Sequence, residues 1–526
     1  MPDLNDVSNV KVESQGKDLV KAAFGDSVWH AASFSKEMKD WNYSLGSADS
    51  DNLYELDTIT GRARDAERNN ARARAVVHTK ADAINGVGLR PIPKPNWRVL
   101  GKSKQWADDW SAEVKSKAES YFNSTDVDAT RIDSWGALSR TALLERMTAG
   151  GFIALPVYKP DSGQSIYGTA IQLVEIERLS NPMGLSDTAT RRGGVEIDEN
   201  GQPLGYWIRT THPGDDFLMM GGGPAEWEFV PAATEWGRRR VIHSFQRDRI
   251  GANRGVSMLA TLMPEFRIAN RYERAELQTA LANSLVAMVV QSNMPPEMVK
   301  SFFEDEETYL NFRRKFAPKL TAGSTVVLPP GESVQAFAPN RANSSFDDFL
   351  KSILRGAYAS VGMPLEFAQK DFSQMNYSNA RVALNEAWRS FATERSFETQ
   401  RWATPTYQLW FEEAVHLGQI PDCTPDDLYR DENHFQAWQG VKWIGDGRGW
   451  VDPKKEAEAA GVRISLGLST LEDEAAEQGR YWLDVLEQQD TERRAYQSRG
   501  LIYPGDNAAA KFSGGESPNP EHERAD

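Results

Sequence analysis

The chain has 526 residues, of which 40% are hydrophobic and 26% are charged, and this composition predicts a globular protein of three or four domains rather than a disordered one. There are 60 Lys and Arg residues against 75 Asp and Glu residues, a net charge of −15, which argues against a protein that grips DNA because cations supply most of that affinity. An acidic wall would instead let a duplex slide past, but an ordinary acidic cytosolic protein has the same charge balance and is the commoner case. Cys423 is the single cysteine, so an intramolecular disulfide framework is excluded and a reducing cytoplasm is expected.

The first predicted helix is basic. Residues 1–54 show little periodicity and predict a loosely attached arm, after which arginines recur at helical spacings on one continuous helix. These are Arg64, Arg68, Arg72 and Arg74. One interpretation is a solvated basic face. The alternative is a surface that faces an acidic neighbour, either another subunit or nucleic acid.

A mixed helix and strand region follows. Residues 135–152 predict a helix that Gly150 and Gly151 end. Asn200-Gly201 predicts a hairpin turn between two of the strands that come next. The strand-like runs are residues 152–158, 171–176, 195–198, 204–210 and 240–245.

Two long helices dominate the second half. The first is predicted over about residues 257–290, roughly 45–50 Å at 1.5 Å per residue. A charged stretch (304–315) and a β unit (324–338) separate it from the second, which spans 346–361 with apolar residues at i, i+3, i+4 and i+7. A loop from 365 to 376 leads to a third long helix, residues 378–418, with a kink predicted at Pro405.

Toward the C-terminus, residues 470–489 predict a helix and residues 514–526 predict disorder. Tryptophans on the third long helix are interpreted as core or interface residues. They are Trp388, Trp402 and Trp410.

The sequence contains no recognisable enzyme motif. Its seven histidines form no HExxH or other metal-ligand spacing, and no Walker A motif or nucleophile elbow occurs. The glycine-rich run 445–449 is predicted to be a turn, and the apolar run 280–290 is too short to span a bilayer. We therefore expect a protein that is not an enzyme and that has no cofactor and no metal.

Several segments together resemble the lambda family of phage portal proteins. The most specific is VGMPLEFAQKDFSQMNYSNARVALNEAWRSF at 361–391, and the others are LVEIERLSNP at 173–182, GVEIDENGQPLGYWIRTTHPG at 194–214, VIHSFQRDRIGANRGVSM at 241–258 and WVDPKKE at 450–456. The match covers about residues 55–490. Two departures are visible: residues 250–252 read Ile-Gly-Ala in place of a Pro-Gly-Gln type turn, and Asn379 stands where a second serine is common.

The resemblance implies an α+β, mainly helical portal fold in a ring of twelve subunits, with a mixed α/β wing, long stem helices, a small α/β clip and a helical crown. The resemblance divides the chain into nine regions. They are the arm (1–54), the first part of the wing (55–255), stem helix 1 (256–290), the clip (291–340), stem helix 2 (341–364), the tunnel loop (365–377), the second part of the wing (378–450), the crown (451–505) and a disordered tail (506–526).

Two sets of site residues follow from this resemblance. Lys370, Gln374 and Asn376 of the tunnel loop are expected to approach DNA, and the alternative is that the loop only packs against neighbouring subunits. Charged residues of the clip are expected to contact terminase or an adaptor protein, and the alternative is a solvated surface. They are Glu304, Asp305, Glu306, Arg313, Arg314 and Lys315.

The implied function is a conduit and assembly platform at one capsid vertex, without catalysis. Its partners would be further copies of the chain, double-stranded DNA bound without sequence specificity, the terminase large subunit, a head-completion protein, and the major capsid and scaffold proteins. It would reside in the virion, and in the host cytoplasm during assembly, and it would contact no membrane. The alternatives are another virion component, such as a head-closure or minor capsid protein, or a cytoplasmic hydrolase.

Overall fold

A computed structural model describes the chain from residue 40 to residue 504 with gaps. The described residues are 40–41, 43, 45–160, 165–216, 225–285, 289–292, 301, 305, 307–308, 311, 332–335, 346–373, 375–449 and 452–504. They form a mainly helical α+β structure with small antiparallel sheets, as the sequence predicts. The predicted disordered tail, 506–526, lies outside these residues.

The first group of helices differs from the prediction at two places. The end of the predicted loose arm is packed, because the carboxylate of buried Asp49 accepts hydrogen bonds from the backbone N–H of Asn253 at 3.0 Å and from its side-chain amide at 2.7 Å. The predicted basic helix is two helices, since the side chain of Asn70 caps the second by accepting from Arg72 N at 2.9 Å. The elements are α1 (Ala48–Asn52), α2 (Leu56–Asn69), α3 (Ala71–Asn85), β1 (Arg90–Pro93), α4 (Lys104–Phe122) and α5 (Trp135–Ala149).

The strand prediction after α5 is confirmed. Gly150 ends α5 in the left-handed region at φ 91°, and the five predicted runs are strands within one residue or two of their predicted ends. Residues 198–201 form the predicted turn, in which Gly201 N donates to Asp198 O at 3.1 Å. The strands are β2 (Gly151–Tyr158), β3 (Thr169–Glu175), β4 (Arg191–Arg192), β5 (Val195–Ile197), β6 (Pro203–Arg209), β7 (Trp227–Pro231) and β8 (Ile242–Phe245). They form two sheets with the strand orders β3-β2-β8 and β4-β5-β6-β7.

Two long helices then form an antiparallel hairpin. The rings of Tyr272 and Phe346 stack at 5.1 Å, and those of Phe266 and Tyr358 lie 5.8 Å apart. The elements are α6 (Met263–Leu285), β9 (Val289–Ser292), β10 (Glu332–Gln335) and α7 (Phe346–Ser360). We call α6 and α7 the hairpin.

The first hairpin helix is shorter than predicted, with 23 residues instead of about 34. It begins at Met263 because Pro264, which has no N–H to donate, is tolerated in the first turn of a helix and not in its interior. The last predicted residues of this helix form a strand instead, because the β-branched Val289 and Val290 pair with β10 in an antiparallel ladder.

The third long helix is interrupted just before Pro405. It consists of α9, a π-helical turn at Thr399–Ala403, and α10, and Thr404 N donates to Thr399 O, five residues back. Since Pro405 cannot donate to the carbonyl of Arg401, the wider turn ahead of it absorbs the missing hydrogen bond. The elements are α8 (Leu365–Gln369), α9 (Tyr377–Glu398), α10 (Thr404–His416), α11 (Pro425–Leu428), α12 (Glu432–Trp438) and β11 (Val441–Ile444).

The C-terminal helices lie on the surface, and none of their described residues is buried. The predicted helix at 470–489 is two helices, because Gly479 at φ 73° ends the first. The elements are α13 (Pro453–Ser465), α14 (Leu471–Glu477) and α15 (Trp482–Gln497). This group contacts the body beside the β1-β11 sheet, through Tyr481.

Two apolar cores hold the body together. The first joins α4, α5, the β3-β2-β8 sheet and α10 around Trp402 and Trp410, which are 1% and 0% exposed. The second joins α2, α3, α5, the hairpin and α9, and Trp388 packs half-buried against it. The predicted core role of Trp402 and Trp410 is confirmed, and the second core fixes the base of the hairpin.

Candidate functional site

The segment from 362 to 376 connects the hairpin to α9. Gly362 ends α7 at φ 68°, and a Cβ at this position would lie 2.4 Å from the Ser390 hydroxyl, so only glycine fits the turn. After α8, the chain adopts a left-handed conformation at Lys370 (φ 55°), whose N–H caps the helix. The first residues of the predicted loop, 365–369, therefore form a helix, which corrects the sequence prediction for that part.

The predicted DNA-facing residues differ in their surroundings. Lys370 is exposed, next to Phe372, whose side chain is 51% exposed and whose ring packs edge-on against Phe367 at 5.6 Å. Asn376 is exposed, but its side-chain oxygen caps α9 by accepting from Asn379 N at 2.9 Å. Gln374 lies outside the described residues. Lys370 is thus available to a ligand, whereas Asn376 has a structural role.

A buried group of charges clamps this segment from beneath. Lys80 of α3 donates to the carbonyl of Val361 at 3.1 Å, where α7 ends, and to Glu394 of α9 at 3.1 Å. Arg146 of α5 pairs with Glu394 at 2.7 Å and with Glu398 at 2.5 Å. We call Lys80, Arg146, Glu394 and Glu398 the charge cluster. It ties the start of the segment to the body, because Val361 directly precedes the segment, whereas Glu394 and Glu398 lie near the C-terminal end of α9.

The two carboxyl groups of the charge cluster differ in the direction of their pKa shifts. Burial acts to raise the pKa of the Glu394 carboxyl, but the charges of Arg146 and Lys80 outweigh burial and lower it below its ordinary value. Burial raises the pKa of Glu398, which is more deeply enclosed, and the Oε2 atom of that residue has no hydrogen-bond partner among the described residues. Arg146 therefore neutralises one firmly ionised carboxylate and one whose ionisation is costly.

Sequence inspection missed the charge cluster, although a signal was present. Lys80 occupies the same helical stripe as the buried Val76, Val77 and Ile84. A long charged side chain within an apolar stripe must be paired when the stripe is buried. Its carboxylate partner lies more than 300 residues away in the sequence, so the pair itself could not be read from the local pattern.

The basic segment near α2 has partners within its own chain. Arg64 binds Glu145 with its two terminal nitrogens and Glu177 through Nε. Burial acts to lower the pKa of Arg64, but the hydrogen bonds to Glu177 and Glu145 outweigh it and raise the pKa. Arg72 pairs with Glu273 and so fastens α6 to α3. Arg64 and Arg72 are paired within their own chain, so they form neither a solvated basic face nor a surface that faces another subunit or nucleic acid. The exposed Arg68 matches the prediction of a solvated face.

Of the six residues predicted to form the clip contact, the structure describes only Asp305. Asp305 is exposed, and its carboxylate accepts from Thr308 N at 2.6 Å. Hydrogen bonds from the side chain and then the backbone of Thr308 hold the pKa of Asp305 below its ordinary value, so it is a firm negative charge. The remaining members lie outside the described residues. They are Glu304, Glu306, Arg313, Arg314 and Lys315.

Comparison with known proteins decides the family. A sequence model described as "Phage portal protein, lambda family" matches residues 34–395, more than half of the chain. The chain belongs to the lambda family of phage portal proteins. Its relatives in this family include the portal protein of Escherichia phage N15, 27% identical over 505 residues (93% of this chain and 94% of that protein), and portal protein B of Escherichia phage lambda, 27% identical over 509 residues (94% of each).

A further likeness is to a chain from the virion of a native gene transfer agent particle. It has a TM-score of 0.41 and 12% identity, and it covers 85% of this chain and 93% of the other. Family membership rests on the sequence matches alone. Among the described residues, no group of three or more His, Cys, Asp or Glu side chains is placed to hold a metal ion, and no helix is long and apolar enough to cross a bilayer.

Proposed function

We propose that the chain is the subunit of a ring of about twelve copies at one capsid vertex, through which double-stranded DNA is packaged and later ejected. The observation that carries the proposal is the similarity to two portal proteins over more than nine tenths of the chain. The role is one of conduit and platform and requires no catalysis. The protein would reside in the virion, after assembly in the host cytoplasm.

The hairpin supports a ring. The apolar stripe that buries Phe266 of α6 continues past the edge of the body to Leu277 and Leu281, which remain 60% and 55% exposed. Exposed apolar side chains that adjoin along one helical stripe are characteristic of an interface with another chain. A neighbouring copy in the ring would cover it, and electron microscopy down the particle axis tests for such rings.

Within this proposal, the regions take the roles that the resemblance implies. The hairpin is the stem, and the sheets with α9 and α10 form the wing. The residues between the hairpin helices form the clip, and α13 to α15 form the crown. The clip would meet the terminase large subunit and then a head-completion protein, and the outer surfaces would meet major capsid and scaffold proteins.

Two segments are proposed to divide the contacts with DNA and with the motor. The segment between α7 and α9 would face the duplex, because Lys370 is exposed there on a connection that the charge cluster clamps in place. The clip would bind the motor through its charges, of which Asp305 is exposed and firmly ionised. Both contacts are electrostatic, and both should weaken with salt.

A paired experiment separates these contacts. Alanine at Lys370 and Gln374, with the α9 cap Asn376 left in place, is expected to lower DNA packaging or retention and to leave terminase binding unchanged. Reversal of the six clip charges is expected to abolish terminase binding in a pull-down. Each variant set is the control for the other. Packaging and retention that stay normal in the first set reject the DNA contact, and terminase binding that stays normal in the second rejects the clip contact.

A further inference from the structure

The flanks of the hairpin carry opposite charges at nearby levels. The stacked rings of Tyr272 and Phe346, 5.1 Å apart, mark a height at which α6 and α7 face each other. Two positions after each aromatic residue comes an exposed charge, Arg274 on α6 and Asp348 on α7. Because α6 and α7 are antiparallel, the two charges lie on opposite sides of that level, each about 3 Å from it along the helix axes and so about 6 Å apart.

Helix geometry sets these two charges on opposite flanks. Residues two apart on an α-helix are separated by about 200° around its axis. Because Tyr272 faces α7, Arg274 faces away from α7, and because Phe346 faces α6, Asp348 faces away from α6. One flank of the hairpin is therefore basic and the other acidic at nearby levels.

Neither of the two charges forms a salt bridge with another described residue. Lys351 pairs with Asp347 at 2.6 Å and interacts with Asp348 only at longer range. The apolar side chains of Leu277 and Phe349 lie within two helical turns of the stacked rings and are 60% and 52% exposed. Two complementary charges beside uncovered apolar surface are suited to a contact between chains.

We propose that Arg274 of one copy pairs with Asp348 of the adjacent copy, in a head-to-tail contact between hairpins. A ring with rotational symmetry repeats one heterologous contact, in which the left flank of each subunit meets the right flank of the next. Rotation about the ring axis preserves height, so for hairpins that run along this axis the partners must lie at similar levels, and an arginine side chain spans the offset of about 6 Å. This pairing rests on the proposed ring, and it names two residues that fix how adjacent hairpins align along their length.

Arg271 strengthens the basic flank of this contact. It is exposed and lies three residues before Arg274, within one turn of it on α6. Nucleic acid is a less suitable partner for these arginines, because DNA would leave Asp348 without a counter-charge and would repel it. The neighbouring copy satisfies both flanks at once.

Charge reversal in the full-length chain tests the contact. R274E and D348K are each expected to lower the fraction of protein in rings at least about tenfold at low salt, because a loss of about 2- to 5-fold per contact recurs at every interface. The double variant R274E/D348K is expected to recover assembly to within about 2-fold of wild type, since the pair is restored in reverse. Ring fraction is measured by mass photometry and electron microscopy, with scaffold protein present where assembly needs it.

A matched control lies on α7 itself. Arg355 is exposed two turns beyond Asp348 on the same flank, near the level at which α6 carries Arg267. An acidic residue at position 355 removes no attractive contact with the adjacent copy, so R355E should assemble at least as well as wild type. A similar defect in R355E would mean that any charge change disrupts assembly, and the specific pair would be rejected.

The outcomes separate this contact from the ring itself. Normal rings in wild type and in both single variants, or a double variant as defective as the singles, reject the pair and leave the proposed function standing. Normal assembly of R274E with impaired packaging would show that the arginine faces DNA and would also reject the pair. Wild-type chain that forms no ring under any condition rejects both the pair and the proposed function.

Discussion

Replacing Arg146 by methionine is expected to lower the free energy of unfolding by about 3–5 kcal/mol, because it leaves two buried carboxylates without their shared cation. Arg146 is 4% exposed and pairs with Glu394 and Glu398. Lys80 would still offset Glu394, whereas Glu398 would lose its charged partner. The measurement is the urea midpoint from tryptophan fluorescence of the unassembled chain.

The carboxylates of the charge cluster supply the controls. Since burial already favours the neutral form of Glu398, E398Q is expected to cost about 1 kcal/mol, much less than R146M. Replacing Arg146 and Glu398 together by leucine should recover part of the loss, because a buried pair exchanged for apolar residues is often neutral. A methionine variant within about 1 kcal/mol of wild type would show that the charge cluster does not stabilise the body.

Replacing Trp402 by alanine is expected to cost a similar amount, about 3–5 kcal/mol, because it opens a cavity in the first core. The indole is 1% exposed, stacks on Trp135 at 5.1 Å, and donates to the hydroxyl of Ser139 at 3.0 Å. Its position in the π-helical turn links α9 to the core. Unfolding in urea followed by circular dichroism provides the measurement.

An exposed tryptophan provides the comparison. Trp236 is 75% exposed, and W236A should change stability by no more than about 0.5 kcal/mol. The conservative W402F keeps an aromatic ring but loses the hydrogen bond and part of the volume of the indole, so its cost should lie between those two values. Equal effects of W402A and W236A would contradict the assigned role of Trp402.

Patterns that depend on neighbours in sequence predicted much of the fold. The end of α5 at Gly150, the strands, the turn at Gly201 and the apolar stripe of α7 all follow from local periodicity and turn chemistry. The failures occurred where a longer-range interaction or a single residue overrode the period. Asn70 divided the basic helix by capping, and pairing with β10 drew Val290 into a strand.

The sequence predicted less of the candidate site than of the fold. Family resemblance pointed to the segment containing Lys370, but it did not indicate that Asn376 caps α9. The charge cluster joins residues from three helices that are far apart in the chain, such as Lys80 and Glu394. Such pairs depend on tertiary packing, so a single sequence shows at most that a charge occupies a buried stripe.

The two large stability effects bear directly on the channel. The charge cluster and Trp402 both hold α9, and α9 begins where the proposed DNA-facing segment ends. A rigid support positions exposed side chains such as Lys370 reproducibly around a ring. Loss of the charge cluster should therefore disturb the start of the segment, where Lys80 binds the carbonyl of Val361.

The most direct test of the account is electron microscopy of the purified full-length chain, alone and with scaffold protein, with class averages viewed down the particle axis. The account predicts rings of about twelve subunits with a central hole wide enough for a DNA duplex. A small oligomer with a closed centre that persists when scaffold protein is present would contradict it.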